Sequence, residues 1–333
     1  MAFEGVPWMI GGNQAVHSAD VGRRLAFMAS SGATGITLPG DLRVTALPTP
    51  GGAVRILPGG GPIANTYSGG SGQSYVVSNP TSTDLSIPAT GSGGGATRYV
   101  IVRIDDPQYG GAVPADPANG PYVKATYVST LSGITYPYMP LAKIVQPANT
   151  ATITQSMITD MREMAMPREK TVVYARPNIT GDAGLVLNGR QAWPDGEWFP
   201  NVGGQDNNGI HYIDIPKWAT RMEIRAEWIA VRLGAKAGYG DCWVTYGPGG
   251  LTETPTYATQ SFAWDADEGS NVYRANWILH DEKPVLSAWR GTTQPFVLRA
   301  NKRGSATTYP GSVELTATSG VVLSVRFQEV ADE

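Results

Sequence analysis

The chain has 333 residues, enough for about two domains, and its 25 basic and 28 acidic side chains give a formal net charge of −3. This balance offers no excess of Lys and Arg for binding nucleic acid. The sequence contains no uncharged apolar run long enough to span a membrane, and the start at Met1–Glu4 lacks the basic segment of a secretion signal. We therefore expect no nucleic-acid partner, no membrane insertion, and synthesis and retention in a cytoplasm.

Glycine and proline are unusually frequent, with 41 and 25 residues, which favours many turns and few helices. Charged residues make up only 16%, yet aromatic and β-branched residues are common enough to build cores. The composition predicts a folded, mainly β protein. The only cysteine, Cys242, lies in a strand-like segment, so we expect a buried, unreactive thiol and no disulfide within the chain.

The first half is predicted to begin with one helix and to continue in short strands. The helix runs from Ser18 as N-cap to Gly32, with Val21, Leu25 and Met28 on one face. Glycine-rich segments such as Gly59–Gly61 are predicted to be turns. The β-branched run Arg98–Ile104 predicts a strand through the core. The other predicted elements are strands at Leu42–Leu47, Ala53–Leu57, Ser74–Val77, Asp84–Ile87, Tyr122–Val128 and Leu141–Val145, and a brief helix at Gln155–Met164.

The polar segment Pro167–Lys170 predicts a domain boundary, with residues 1–168 on one side and residues 169–333 on the other. Beyond it, apolar and polar residues alternate regularly, as in Val321–Val330. In Met222–Leu233 the alternation changes phase after Trp228, which predicts a β-bulge that turns Ile229 and later apolar residues inward. We expect a β-rich N-terminal assembly domain with short helices, followed by a C-terminal antiparallel β-sandwich of jelly-roll type.

Motifs for catalysis or cofactor binding are not recognisable in the sequence. The glycine-rich run Gly91–Ala96 precedes a strand, whereas a dinucleotide-binding loop follows one. The histidines His17, His211 and His280 are isolated and lack metal-ligand spacing. The acidic segment Asp265–Glu268 is rich in oxygen ligands but lacks the pattern of a calcium loop, so calcium binding there stays open. We expect no enzyme activity, no cofactor and no resident metal.

Trp193–Phe199 is the segment most suggestive of a binding site. Trp193 and Trp198 flank an Asp-Gly turn that carries the carboxylates of Asp195 and Glu197. Aromatic faces beside hydrogen-bond acceptors are suited to binding sugar rings. These four residues are the candidate glycan-binding site. The alternative is that the two tryptophans pack at the edge of the sandwich or at a subunit contact.

A series of short segments in the first half occurs in a characteristic order: Arg23–Ala26, Pro39–Val44, Val54–Gly59, Gln73–Val76, Ala89–Ser92, Val102–Pro107, Leu141–Ile144 and Ile158–Arg162. Together they resemble the minor tail proteins of tailed phages that infect actinobacteria, over about residues 15–165. The resemblance implies a virion structural protein near the tail tip or baseplate, whose C-terminal part faces the host. It supplies no catalytic residues.

The sequence favours one main interpretation and leaves others open. The main one is a structural minor tail protein, located in the virion tail after assembly in the host cytoplasm, whose sandwich binds a host cell-surface glycan. A purely structural tail or head-decoration protein is one alternative. A cell-surface polysaccharide hydrolase is another, and it would need two carboxylates in one cleft. The resemblance implies contacts with other tail proteins. Low charge, many aromatic residues and the symmetry typical of repeated assembly parts favour association with further copies of this chain, a trimer in particular.

Overall fold

The computed structural model describes residues 19–117, 120–176, 185–201, 210–252, 254–269 and 271–331. The chain divides into two compact units, Met1–Pro167 with Val330–Glu333, and Arg168–Glu329. Antiparallel sheets dominate the described part of both units, so the mainly β prediction is confirmed. The predicted Ser18 cap lies outside the described residues. No helix within the described ranges is long and apolar enough to cross a membrane.

The described residues of the first unit form one α-helix and nine strands. These are α1 (Ala19–Ser30), β1 (Val44–Ala46), β2 (Ala53–Ile56), β3 (Gly59–Ala64), β4 (Ser74–Asn79), β5 (Thr83–Ser86), β6 (Ala96–Ile104), β7 (Val123–Val128), β8 (Tyr138–Gln146) and β9 (Ile158–Asp160). Strands β1, β2 and β5 form one sheet, and β3 pairs with β4. The order β7–β6–β8–β9 forms a further sheet, in which β6 has partners on both sides.

Strand β6 lies at the centre of the first core, as its β-branched sequence predicts. Its side chains Val100, Val102 and Ile104 are at most 2% exposed. They join Leu141 and Ile144 of β8 in one apolar cluster with residues of the smaller sheets. Burial of these branched side chains on a pleated surface contributes to the stability of this unit.

Two local predictions in the first unit are wrong. Gly59–Gly61 begins strand β3 and is not a turn. A Cβ on Gly61 would collide with the carbonyl oxygen of Gly35, so glycine serves a close backbone approach here. Gln155–Met164 is not a helix, because only Gln155–Met157 forms a 3₁₀ turn and the next residues form β9. Pairing of β9 with β8 overrides the local helical preference.

Helix α1 packs with a polar side chain inward, which reverses the orientation expected of an amphipathic helix. Arg23 is 9% exposed. Its guanidinium donates to the side-chain oxygens of Gln73 at 2.5 Å and Gln108 at 2.6 Å, and lies 3.3 Å from the Asp106 carboxylate. Three apolar residues that the sequence places on one face are 44%, 42% and 67% exposed: Val21, Leu25 and Met28. The helix is therefore confirmed, and its apolar face lies on the surface of the unit.

The described residues of the second unit form eleven strands. They are β10 (Glu169–Arg176), β11 (Leu185–Val186), β12 (Glu197–Trp198), β13 (Ile210–Asp214), β14 (Arg221–Leu233), β15 (Gly238–Tyr246), β16 (Phe262–Ala266), β17 (Tyr273–Pro284), β18 (Thr293–Lys302), β19 (Val313–Leu315) and β20 (Gly320–Gln328). Two antiparallel sheets result, with central orders β10–β20–β14–β17 and β13–β18–β15–β16.

The connectivity of these eight central strands is that of a jelly roll. The chain passes from one sheet to the other between β13 and β14, between β14 and β15, and again on both sides of β17. The first and last strands, β10 and β20, lie side by side. A double-sheet arrangement of eight strands with these connections confirms the predicted sandwich.

Alternating side chains from the two sheets form one aromatic-rich core, as the sequence pattern predicts. In β14 the register shifts between Trp228 and Val231, both fully buried, and Ala230 adopts a φ of 53°. The predicted bulge is thus confirmed, although Ile229 is only half-buried. Cys242 is 1% exposed, and burial raises the pKa of its thiol to about 12, which agrees with the expected unreactive side chain.

Candidate functional site

The candidate segment lies against the face of one sheet that is turned away from the core. In β18, Leu298 and Ala300 point into the core. Because side chains alternate along a strand, Arg299 and Asn301 point to the other face. Strand β12 pairs with Arg299 and Ala300. Nearer the start of the segment, the indole of Trp243 in β15 donates to the carbonyl oxygen of Pro194 at 3.0 Å. The segment is therefore attached to the sheet at several points.

Arg299 is the principal attachment, and it is only 2% exposed. Its Nη1 donates to the carbonyl oxygens of Asp195 and Gly196, and its Nη2 donates to those of Gly250 and Thr252 at 3.0 and 2.7 Å. Its Nε donates to the hydroxyl of Thr245 at 3.0 Å. All five N–H groups of the guanidinium thus have an acceptor. Arg299 fixes residues 195–196 relative to residues 250–252.

Two opposing influences act on the pKa of the Arg299 guanidinium. Burial lowers the pKa of its guanidinium, and the negative charge of Asp195 opposes that effect. An arginine remains charged under such conditions because its ordinary pKa is so high. A permanent positive charge therefore lies beneath the candidate segment, and its hydrogen-bond donors are directed at the protein's own carbonyl groups.

A groove of about 800 Å³ lies between the two fixed segments. Most of the described residues that line it are polar or charged, and Trp198 and Leu251 are the large apolar ones. The lining residues are Asn188, Gly189, Arg190, Gln191, Asp195, Gly196, Glu197, Trp198, Asn201, Leu251, Thr252, Thr254 and Arg299. A mixture of amides, hydroxyls, carboxylates and one aromatic ring can offer a ligand both hydrogen bonds and an apolar face.

The structure brings three of the four predicted site residues to this groove: Asp195, Glu197 and Trp198. Trp193 does not line it. The Trp193 indole donates to the carbonyl oxygen of Thr259 at 2.9 Å, and the residue is 44% exposed. Glu197 and Trp198 lie in strand β12, whereas the sequence suggested a turn-containing segment without strand structure.

The two groove carboxylates differ in their partners. Oε2 of Glu197 accepts the backbone N–H groups of Asn188 at 2.8 Å and Gly189 at 2.5 Å, so it holds the groove wall. The carboxylate of Asp195 is half-buried, and no described residue forms a hydrogen bond or ion pair with it. Asp195 is therefore the carboxylate that is available to a ligand.

Arg299 and the wall at residues 250–252 were not among the predicted site residues. One signal was present in the sequence: Arg299 interrupts the otherwise apolar run Phe296–Ala300. A charged residue in such a run indicates a buried polar contact. The identity of its partners, about 50 and 100 residues away along the chain, follows only from the sheet pairing.

The histidines and acidic residues outside the groove form no second candidate site in the described part of the chain. His211 stacks on Tyr174 with ring centroids 4.4 Å apart, and burial lowers the pKa of its imidazole. Glu268 of the acidic segment forms an exposed ion pair with Lys236 at 3.0 Å. Across the described ranges, no group of three His, Cys, Asp or Glu side chains could hold a metal ion. His17 lies outside the described residues.

Comparison with known proteins gives weak similarities. No family model and no curated protein matches the sequence. A solved structure of Mud crab tombus-like virus is 9% identical over 53% of this chain and 95% of that chain, with a TM-score of 0.22. A structure of infectious bursal disease virus, Gx strain, is 13% identical over 93% and 86%, with a TM-score of 0.23. The Cry4Aa toxin from Bacillus thuringiensis is 10% identical over 92% and 55%, with a TM-score of 0.20. TM-scores this low carry no argument about this chain.

Proposed function

We propose that this chain is a non-enzymatic structural protein of a bacteriophage tail. Its first unit attaches the chain at the tail tip or baseplate, and its second unit binds a glycan on the host surface. The ordered sequence resemblance over about residues 15–165 supports the tail assignment. The groove beside Trp198 supports the glycan-binding role of the sandwich.

One observation carries the binding role, namely that Arg299 holds both walls of the groove through their backbone carbonyl groups. Walls fixed in this way lose little conformational freedom when a ligand binds, which improves affinity. Between them, the ring of Trp198 offers a stacking surface and Asp195 offers an unpaired acceptor. These are the two kinds of contact that sugar rings use.

A single groove of this kind would bind weakly, because few contacts can be made in an open site. Repetition of the chain around a symmetric tail would compensate for this. Several linked weak sites can raise overall avidity by about 10²–10⁴ when they reach the same surface together. The expected homo-oligomer, a trimer in particular, would provide the repetition.

The test is to replace Trp198 by Ala and measure binding of the purified full chain to host cells. Loss of a stacked ring should weaken binding by about tenfold. Trp193→Ala is the matched control, because Trp193 lies on the same segment and is exposed but does not line the groove. Equal binding by all three proteins, with folding intact, would remove the groove from host binding.

A polysaccharide hydrolase is a second candidate, since Asp195 and Glu197 line the same groove. Hydrolysis requires both carboxyl groups to face the scissile bond. In this groove one oxygen of Glu197 is already bound by two backbone N–H groups, which assigns it a role in holding the wall. We expect no release of reducing sugars from host cell-wall polysaccharide. Release that disappears in Glu197→Gln would instead establish the hydrolase.

A further inference from the structure

We propose that the groove selects an uncharged saccharide and excludes anionic polymers. This inference rests on the proposed function and adds to it the charge class of the ligand. Three features of the groove carry it: the hydrogen bonding of Arg299, the unpaired carboxylate of Asp195, and the balance of charges in the lining.

The cation beneath the groove has no donor left for an anion. Binding of a phosphate or carboxylate by arginine depends on N–H groups directed at the anion's oxygens. All five N–H groups of Arg299 already donate to four backbone carbonyl groups and the hydroxyl of Thr245. To bind an anion, Arg299 would have to give up the contacts that hold the groove walls. Its positive charge therefore supports the structure and does not recognise the ligand.

The carboxylate of Asp195, unlike the guanidinium of Arg299, can still form hydrogen bonds with a ligand. It is half-buried in the groove and has no hydrogen-bond or ion-pair partner among the described residues. An ionised carboxylate can only accept hydrogen bonds, so it suits the hydroxyl groups of a sugar. Its negative charge would repel a phosphate of an anionic polymer that contacted it directly.

The remaining charges of the groove lining do not overcome the repulsion of anions by Asp195. Among the described residues that line it, the groove has two cations and two anions: Arg190, Arg299, Asp195 and Glu197. Arg190 is exposed at the edge, where its Nη1 donates to the carbonyl oxygens of Arg303 and Gly304. Because water and salt screen an exposed charge, Arg190 alone adds little attraction for a polyanion.

The experiment measures binding of the full chain to an array of uncharged oligosaccharides and of phosphate- or uronate-bearing oligosaccharides of matched length. We expect binding to uncharged members only, with little change between about 50 and 500 mM salt. Asp195→Asn should weaken that binding by about tenfold, because it replaces a charged acceptor by a neutral one. Asp267→Asn, at an exposed aspartate outside the groove lining, is the matched control and should bind as the unaltered chain does.

Two results would overturn the inference while leaving glycan binding in place. One is binding of the unaltered chain to anionic members that does not change in Asp195→Asn. The other is binding that is lost at high salt and in Arg190→Gln, which leaves the buried contacts of Arg299 unchanged. Absence of binding to every member, by a folded chain that still binds host cells, would overturn the glycan-binding proposal and this inference with it.

Discussion

Arg299 is a buried arginine in a strand, and the residues next to it along the chain, Leu298 and Ala300, are apolar. It is tolerated because carbonyl groups from two separate segments supply partial negative charge on several sides of the guanidinium. The same contacts shape the groove. Stability and the proposed binding therefore depend on one residue in this part of the sandwich.

Replacing Arg299 by Met should lower the free energy of unfolding of the second unit by about 3–5 kcal/mol, because it leaves several buried carbonyl groups without donors. Urea denaturation followed by tryptophan fluorescence will report this, since eight of the nine tryptophans lie after residue 190. Arg225→Met is the control. Arg225 is an exposed arginine of β14, and its loss should change stability by less than about 0.5 kcal/mol. A similar small effect of Arg299→Met would show that the buried contacts contribute little.

Among the secondary-structure elements, helix α1 allows the clearest test by substitution, because its polar side faces inward. Leu25→Gln and Met28→Gln should each change stability by less than about 0.5 kcal/mol, since both side chains are exposed. Arg23→Met should destabilise the first unit by about 2–3 kcal/mol, because it leaves Gln73, Gln108 and Asp106 without their shared cation. Calorimetry of the full chain will compare them. The reverse order of effects would mean that the apolar face is the buried one.

The elements also show what the sequence could and could not reveal. The alternation in β20 and the bulge of β14 were predictable, because the face of each residue follows from a period of two along one strand. The orientation of α1 was not, because it depends on Gln73, Gln108 and Asp106 from distant segments. At the candidate site, the aromatic and acidic residues were recognisable since they are adjacent in sequence. Arg299 and the second wall join them only through the fold.

At the scale of the whole molecule, the second unit begins at Arg168 and ends at Glu329. These two residues pair directly: the guanidinium of Arg168 lies 2.5 Å from the carboxylate of Glu329, whose side chain is 1% exposed. A chain of residues 168–329 should therefore unfold in one cooperative transition by itself. Coincident urea curves from circular dichroism and fluorescence will test this. An unfolded fragment would show that the second unit needs the rest of the chain.

The central claim is that the sandwich gives a phage tail its attachment to host cells. The most direct test is the adsorption rate of intact particles in which every copy of this chain lacks the second unit. Such particles should assemble, carry the truncated chain in their tails, and adsorb at least about tenfold more slowly, because linked weak sites are lost together. Adsorption at the rate of unaltered particles would contradict the central claim.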